Sequence, residues 1–215
     1  MVNEKNPLIV VNFKNHKVGK DVLNLSKIIQ KKYPEAIVCV PAVNIFDTSK
    51  NTKLNVFAQH INDKDDGSTT GFVTVESIKS VGAKGTLLNH SEHKLPFSVL
   101  HNLIKRCNEK NLKAIVCLES LSDVKWILRQ HHKPYAIAYE DVKLIGSGKS
   151  VTTYNPRNIK KFIKIMKHHP GIIPLCGAGI SNWKDVKEAQ KLGCKGVLVA
   201  TAITKAKNPE KFFKD

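Results

Sequence analysis

Residues 8–40 read LIVVNFKNHKVGKDVLNLSKIIQKKYPEAIVCV, and this stretch establishes the pattern of the whole chain. The apolar runs at 8–13 and 36–40 predict two buried strands, and Pro41 ends the second. The segment between them predicts a helix, because apolar residues recur there with helical period at Val22, Leu23, Leu25, Ile28 and Ile29. Strands that are apolar on both faces and alternate with amphipathic helices require a parallel sheet covered by helices, so we expect an α/β fold.

The same alternation continues to the end of the sequence. Six further short apolar runs predict strands at residues 55–58, 86–88, 114–118, 135–139, 172–176 and 196–200, with helix-like stretches between them and a last helix after Pro209. Eight such pairs favour a closed (β/α)8 barrel over an open doubly wound sheet. The chain has 215 residues, which is short for this architecture, so some helices must be shortened. We therefore predict one compact domain over residues 1–215.

The composition is that of an ordinary globular protein, with 41% hydrophobic residues, and it excludes disordered, collagen-like and coiled-coil classes. No run of about 18 apolar residues occurs and the start lacks a signal-peptide pattern, so we expect a cytoplasmic protein without a membrane partner. The five cysteines, Cys39, Cys107, Cys117, Cys176 and Cys194, are odd in number and lack metal-ligand spacing. We expect buried, reduced thiols, no metal and no cofactor.

The formal net charge of +17 favours an anionic partner, and nucleic acid is the first to consider. The lysines are distributed over predicted helix faces, as at Lys27, Lys31, Lys32, Lys160, Lys161, Lys164 and Lys167, and form no tract with interleaved aromatic residues. Solvated helix faces are therefore the preferred interpretation. We predict no nucleic-acid partner, with a basic barrel that binds RNA as the alternative from another class.

Polar residues follow several predicted strands, at the end of a barrel where active sites lie. They are Asn12, Lys14, Gln59, His60, Asn89, His90, Ser91, Glu92, Glu140 and Asp141. The turns after the seventh and eighth strands instead contain small residues, at 176–179 and 200–202. Backbone N–H groups can approach a ligand closely there, as they do where such barrels hold phosphate. The sequence therefore predicts a small phosphate ester as the ligand.

Three of these side chains have a functional and a structural interpretation. The apolar run before Glu140 is expected to raise its pKa toward the range of a general base, and the alternative is an ion pair with a lysine. Ser91 followed by Glu92 is typical of a helix cap, whose N–H groups would keep His90 neutral, and the alternative is a structural histidine. Lys14 could simply extend from the rim into solvent.

Five motifs, in order along the chain, resemble the triosephosphate isomerase family. They are NFK at 12–14, NHSE at 89–92, YE at 139–140 with IGSG at 145–148, CGAGI at 176–180 and VAT at 199–201. The compact archaeal branch is the most similar, with AQH at 58–60 and LLNHSE at 87–92. The resemblance implies a TIM barrel that interconverts D-glyceraldehyde 3-phosphate and dihydroxyacetone phosphate through an enediolate, in glycolysis and gluconeogenesis.

The resemblance also implies roles for individual residues. Glu140 would be the general base and neutral His90 the electrophile, while Lys14 and Asn12 would bind the substrate and Glu92 would orient Lys14. The phosphate would be held by Asn12, Lys14, Ile145, Gly179, Ala200 and Thr201. The closing lid would consist of Asp141, Val142, Lys143, Leu144, Ile145, Gly146, Ser147 and Gly148.

The segment from Ile61 to Thr70 resembles the family's interface loop, in which Thr70 would reach the site of a neighbouring subunit. This implies a homo-oligomer, either a dimer or a tetramer. The sequence departs from the family where Asp141 follows the catalytic Glu in place of Pro, where His93 replaces a common Arg, and where Thr201 replaces Ser. A phosphate-binding barrel with a different reaction, as in tryptophan biosynthesis or decarboxylation, is the competing enzyme hypothesis.

Overall fold

A computed structural model describes residues 6–140 and 156–214 of the chain. Eight parallel strands form a closed barrel in sequence order, because each strand pairs with the next and β1 also pairs with β8. The strands are β1 (Leu8–Asn12), β2 (Ile37–Val40), β3 (Asn55–Ala58), β4 (Gly85–Leu88), β5 (Lys113–Leu118), β6 (Ala136–Tyr139), β7 (Ile173–Cys176) and β8 (Gly196–Val199). The predicted (β/α)8 architecture is confirmed.

The helices cover the outside of this barrel. They are α1 (Lys20–Lys32), α2 (Ile45–Asn51), α3 (Val75–Ser80), α4 (Phe97–Glu109), α5 (Leu121–Arg129), α6 (Pro156–Met166), α7 (Trp183–Lys191) and α8 (Thr201–Thr204). Short 3-10 helices span Ala42–Asn44 and Pro209–Phe213. The helix predicted after Pro209 is therefore of the 3-10 type, and the compactness comes from helices such as α3 and α8, as expected from the length.

The strand positions agree closely with the sequence prediction, whereas the buried face of α1 is narrower than predicted. Val22, Leu25 and Ile29 of α1 are buried, but Ile28 is 38% exposed. The reason is geometric: positions 22, 25 and 29 lie on one face at 3.6 residues per turn, and position 28 is rotated about 100° away from 29.

Side chains alternate along the strands between the inside of the barrel and its helix-covered outside. One buried cluster fills the interior and consists of Val10, Ile37, Cys39, Phe57, Leu87, Ile115, Cys117, Ala136, Ala138, Leu175 and Leu198. Gly85 leaves room for the Phe57 ring, since a Cβ at position 85 would lie 2.5 Å from the Phe57 Cε2 atom. This packed interior means that a ligand must bind at the rim of the barrel rather than along its axis.

All five cysteines are free and buried, as predicted from their apolar surroundings. Burial raises the pKa of Cys107 and of Cys194 to about 12. These thiols therefore behave as small apolar groups of the core at neutral pH. Among the helices of residues 6–140 and 156–214, none has the length and apolar character needed to span a membrane.

Candidate active site

The end of the barrel at which the carboxyl ends of the strands lie is here called the carboxyl rim. A cavity of about 430 Å³ opens at this rim. It brings together seven residues predicted from the sequence, namely Asn12, Lys14, His90, Glu140, Gly179, Ala200 and Thr201. Sequence reasoning did not single out Ser181 and Lys205, which also line it. The predicted phosphate ligand Ile145 and the predicted lid, residues 141–148, lie outside the described residues. A larger cavity of about 1020 Å³ at the opposite end contains none of the predicted catalytic residues.

Glu140 and His90 face each other inside this cavity. Glu140 directly follows β6, and its backbone N–H donates to the Leu118 carbonyl of β5 at 2.8 Å. This extension of the sheet fixes the start of its side chain, which is only 1% exposed. The His90 Nε2 atom lies 3.7 Å from Glu140 Oε1. Both groups can therefore contact the same small molecule bound beside them in the cavity.

Burial raises the pKa of Glu140 to about 7, although the Cys117 thiol, the Lys94 charge and the Ser91 backbone N–H act in the opposite direction. Its Oε2 atom is buried and finds no hydrogen-bond partner among the described residues. Among residues 6–140 and 156–214, no lysine forms an ion pair with the Glu140 carboxylate. The described residues therefore do not support the ion-pair interpretation of Glu140. A buried carboxyl with a pKa near neutrality can accept a proton and release it again.

The His90 ring is held in one neutral form. The backbone N–H of Glu92 donates to His90 Nδ1 at 3.2 Å, so the ring proton is on Nε2, the nitrogen facing Glu140. Burial, together with the nearby positive charge of Lys14, lowers the pKa of His90 to about 4. A neutral imidazole with its N–H directed into the cavity can donate a hydrogen bond to a carbonyl oxygen.

The prediction that Ser91 caps a helix is wrong. Residues 91 and 92 form a turn, and α4 begins only at Phe97, after Pro96. Proline disfavours helical backbone at the preceding residue, Leu95. The Leu95 N–H instead donates to Asn89 Oδ1 at 2.9 Å and closes the loop. The backbone N–H that faces the His90 ring therefore comes from a turn and not from a helix terminus.

Lys14 is held by backbone contacts as well as by an ion pair. Its φ of 48° lies in the left-handed region, and its N–H donates to Asn12 Oδ1 at 2.9 Å. The Gln59 Nε2 atom donates to the Lys14 carbonyl at 2.8 Å, a contact that sequence reasoning missed although it marked Gln59 as a rim residue. The Lys14 ammonium contacts Glu92 Oε1 at 2.5 Å. Glu92 thus orients the lysine at the mouth of the cavity.

The turns after β7 and β8 approach the cavity with their backbones. A Cβ at Gly177 would lie 2.6 Å from the Cγ atom of Glu140, so only glycine allows the β7 turn to pass beside that carboxylate. Gly179 has a φ of 66°, which glycine adopts without strain. Ala200 and Thr201 follow β8 on the same side of the cavity. Because these side chains are small or absent, backbone N–H groups are accessible to an anion.

The loop after β3 is anchored to α4. Asn62 closes its base, since its N–H donates to the Val73 carbonyl at 2.8 Å and its Oδ1 accepts from the Val73 N–H at 2.9 Å. Arg106 of α4 lies 3.7 Å from Asp63 and 3.3 Å from Glu76, on the two sides of the loop. Thr70 is exposed on this loop. The loop therefore projects as an ordered unit.

Comparisons with known proteins agree with this geometry. The family model described as triosephosphate isomerase matches residues 7–215. The chain is 37% identical to the triosephosphate isomerase of Saccharolobus solfataricus, over 98% of this chain and 95% of that protein. It is 35% identical to the triosephosphate isomerase of Methanocaldococcus jannaschii over 97% of each chain. A crystal structure of triosephosphate isomerase from Bartonella henselae superimposes with a TM-score of 0.72 at 20% identity, covering 92% of this chain and 93% of that one. This structural match supports the fold.

Proposed function

The chain belongs to the triosephosphate isomerase family and isomerises triose phosphates, and we propose that one proton moves through an enediolate, with Glu140 as the base and His90 as the acid. The observation that supports this assignment is the 3.7 Å separation of His90 Nε2 and Glu140 Oε1 inside one cavity, with opposite pKa shifts. Paired groups whose pKa values are shifted in opposite directions by their environments are typical of acid–base sites.

In the forward direction, the Glu140 carboxylate removes a proton from C1 of dihydroxyacetone phosphate. The C2 carbonyl then becomes the enediolate oxygen, which the His90 Nε2–H stabilises by donating a hydrogen bond. Proton transfer between the two oxygens through His90, followed by return of the proton from Glu140 to C2, completes D-glyceraldehyde 3-phosphate. One carboxylate can serve both carbons because they are adjacent.

Lys14, Asn12 and the turns at the rim bind the substrate. The Lys14 ammonium, oriented by Glu92, supplies a positive charge near the dianion and the developing enediolate, and Asn12 donates a hydrogen bond to a substrate oxygen. Backbone N–H groups of Gly179, Ala200 and Thr201, together with Ile145, hold the phosphate. Residues 141–148 close over the site and exclude water.

We place this reaction in glycolysis and gluconeogenesis, and the enzyme in the cytoplasm. All five cysteines are free and buried, and thiols stay reduced in a reducing compartment such as the cytoplasm. The substrates are charged phosphate esters that do not cross a bilayer unaided, so the enzyme and its pathway partners share one compartment.

The enzyme also forms a homo-oligomer in this proposal. Apolar side chains are exposed in the segments that follow β1, β2 and β3, at Val18, Val43, Phe46 and Phe72, and Val43 is 88% exposed. The first two segments are in contact, since Asn44 Nδ2 donates to the Gly19 carbonyl at 3.2 Å. Adjacent exposed apolar groups are typical of a surface that a second copy covers. The ordered loop bearing Thr70 would then reach the site of that second copy.

The decisive experiment measures interconversion of the two triose phosphates by the wild type, Glu140→Gln and the matched control Glu109→Gln, whose exposed carboxylate is on α4. We expect kcat to fall by about a thousandfold in Glu140→Gln, because a general base contributes about 10²–10⁴, and to be unchanged in the control. An inactive wild type, or a fully active Glu140→Gln, contradicts the proposal. Tight binding of 2-phosphoglycolate separates this reaction from other phosphate-binding barrels, since it mimics the enediolate.

A further inference from the structure

His16 connects two parts of the rim that are distant in sequence. Its Nδ1 atom lies 2.9 Å from Thr204 Oγ1, a contact between residues 188 positions apart. His16 belongs to the loop after β1, two residues beyond Lys14. Thr204 is the last residue of α8 and is fully buried. The contact therefore joins the Lys14 loop to the short helix that begins at Thr201.

The direction of this hydrogen bond follows from the number of protons available. The Thr204 hydroxyl has a single proton, which it donates to the Ala200 carbonyl at 3.0 Å. It can therefore only accept from His16, so the His16 ring has its proton on Nδ1. This is the opposite tautomer to that of His90. Because Nδ1 carries a hydrogen in the neutral and the charged ring alike, the bond does not depend on the protonation state of His16.

Both ends of this bond are tied to groups that line the cavity. On one side, the His16 backbone N–H donates to the Phe13 carbonyl at 3.2 Å and closes a turn around Lys14. On the other side, the Thr204 N–H and hydroxyl both bond to the Ala200 carbonyl, at 2.9 and 3.0 Å. These hydrogen bonds connect the Lys14 loop, through His16 and Thr204, to Ala200. They thus link the charged side chain on one side of the cavity to the turn after β8 on the other.

We propose that His16 is a positioning residue that sets the separation between Lys14 and the turn at Ala200 and Thr201, and thereby the length of phosphate ester that the site accepts. The inference rests on the proposed function, in which Lys14 lies near both the phosphate and the developing enediolate, whereas the turn at Ala200 and Thr201 binds only the phosphate. A ligand that spans both groups gains from their fixed separation, whereas a ligand that touches only the phosphate turn does not.

The test compares two ligands in binding experiments that require no turnover. In His16→Ala, the affinity for 2-phosphoglycolate falls by about three- to tenfold, the equivalent of one net hydrogen bond, while the affinity for inorganic phosphate is unchanged. kcat/KM for the triose phosphates falls by a similar factor. His168→Ala, which removes an exposed histidine beyond α6, is the matched control and changes neither affinity.

Two further variants separate positioning from general disruption. His16→Asn restores 2-phosphoglycolate affinity, because its amide nitrogen can occupy the Nδ1 position and donate to Thr204. Thr204→Val keeps the packing volume and shows the same selective loss as His16→Ala, and the double variant loses no more than either single one.

Three results overturn the inference: equal losses for 2-phosphoglycolate and inorganic phosphate, an Asn variant no better than Ala, or additive losses in the double variant. They are distinguishable from failure of the proposed function, which is read from turnover by the wild type and by Glu140→Gln. A wild type that turns over normally, combined with any of those three results, contradicts only the role given to His16.

Discussion

The two sides of the carboxyl rim are built on different principles. The loops after β1, β4 and β6 present the charged or titratable side chains Lys14, His90 and Glu140, and burial shifts the pKa values of His90 and Glu140. The turns after β7 and β8 present small residues whose backbones approach the same cavity. Proton transfer needs side chains with shifted pKa values, whereas a phosphate that is only held needs fixed N–H groups and space. Removing a side chain should therefore damage the first side, and adding one should damage the second.

The largest effect is expected from removing the positive charge of Lys14, on the side of the rim formed by the loops after β1, β4 and β6. Lys14→Met keeps the length of the side chain but loses the ammonium that contacts Glu92. We expect kcat/KM to fall by about a thousandfold, since a preorganised charge or donor at the reacting oxygens contributes about 10²–10³. Steady-state kinetics in both directions measure this. The control is Lys27→Met, an exposed lysine of α1, and a Lys14→Met enzyme that retains normal kcat/KM would contradict the electrostatic role.

Adding a single methyl group tests the other side of the rim, where the backbones of the turns after β7 and β8 approach the cavity. Gly177→Ala places a Cβ 2.6 Å from Glu140 Cγ, so the carboxylate or the β7 turn must move. A displacement of about 1 Å at reacting groups costs about a hundredfold, and we expect kcat to fall by that factor. Gly171→Ala is the matched control, because no atom lies within 4 Å of its added Cβ. Equal activity of the two variants would show that the close approach at Gly177 is unimportant.

The pH dependence of the free enzyme also distinguishes the two sides of the rim, because the loops after β1, β4 and β6 contain a catalytic group, Glu140, that titrates near neutrality, whereas backbone N–H groups do not titrate. Glu140 must be unprotonated to act as a base, and burial raises its pKa to about 7. We expect kcat/KM to fall about tenfold between pH 8 and pH 6, as the unprotonated fraction declines. His90, with a pKa lowered to about 4, stays neutral throughout this range. A profile that is flat down to pH 5 would rule out the raised pKa.

The smallest effect is expected at the anchor of the loop after β3, away from the reacting groups. Arg106→Met removes contacts to Asp63 and Glu76, and we expect the free energy of unfolding to fall by about 1 kcal/mol, since ion pairs in contact with water contribute little. Urea denaturation measures this, with Arg129→Met, an exposed residue at the end of α5, as the control. A loss of activity as large as that of Lys14→Met would mean that the loop acts directly on the site.

Much of the architecture was accessible from local sequence. Apolar runs of strand length predicted all eight strands to within one residue at each end, because a strand buried on both faces consists mostly of apolar residues. The side chains predicted at the rim were identified for the same reason, since each polar residue interrupts an apolar run. The prediction that Ser91 caps a helix was wrong because Pro96, five residues later, determines where α4 can begin.

The sequence by itself determined the order of strands and helices, the closure of eight units into a barrel, and the residues that reach the rim, because periodicity and strand length are local properties. Only the tertiary structure decided which nitrogen of His90 and of His16 has the proton, that Gly177 must lack a side chain beside Glu140, and that Gln59 holds the Lys14 carbonyl. These facts depend on distances between residues far apart in the chain. Such distances arise when the barrel closes, and no single segment specifies them.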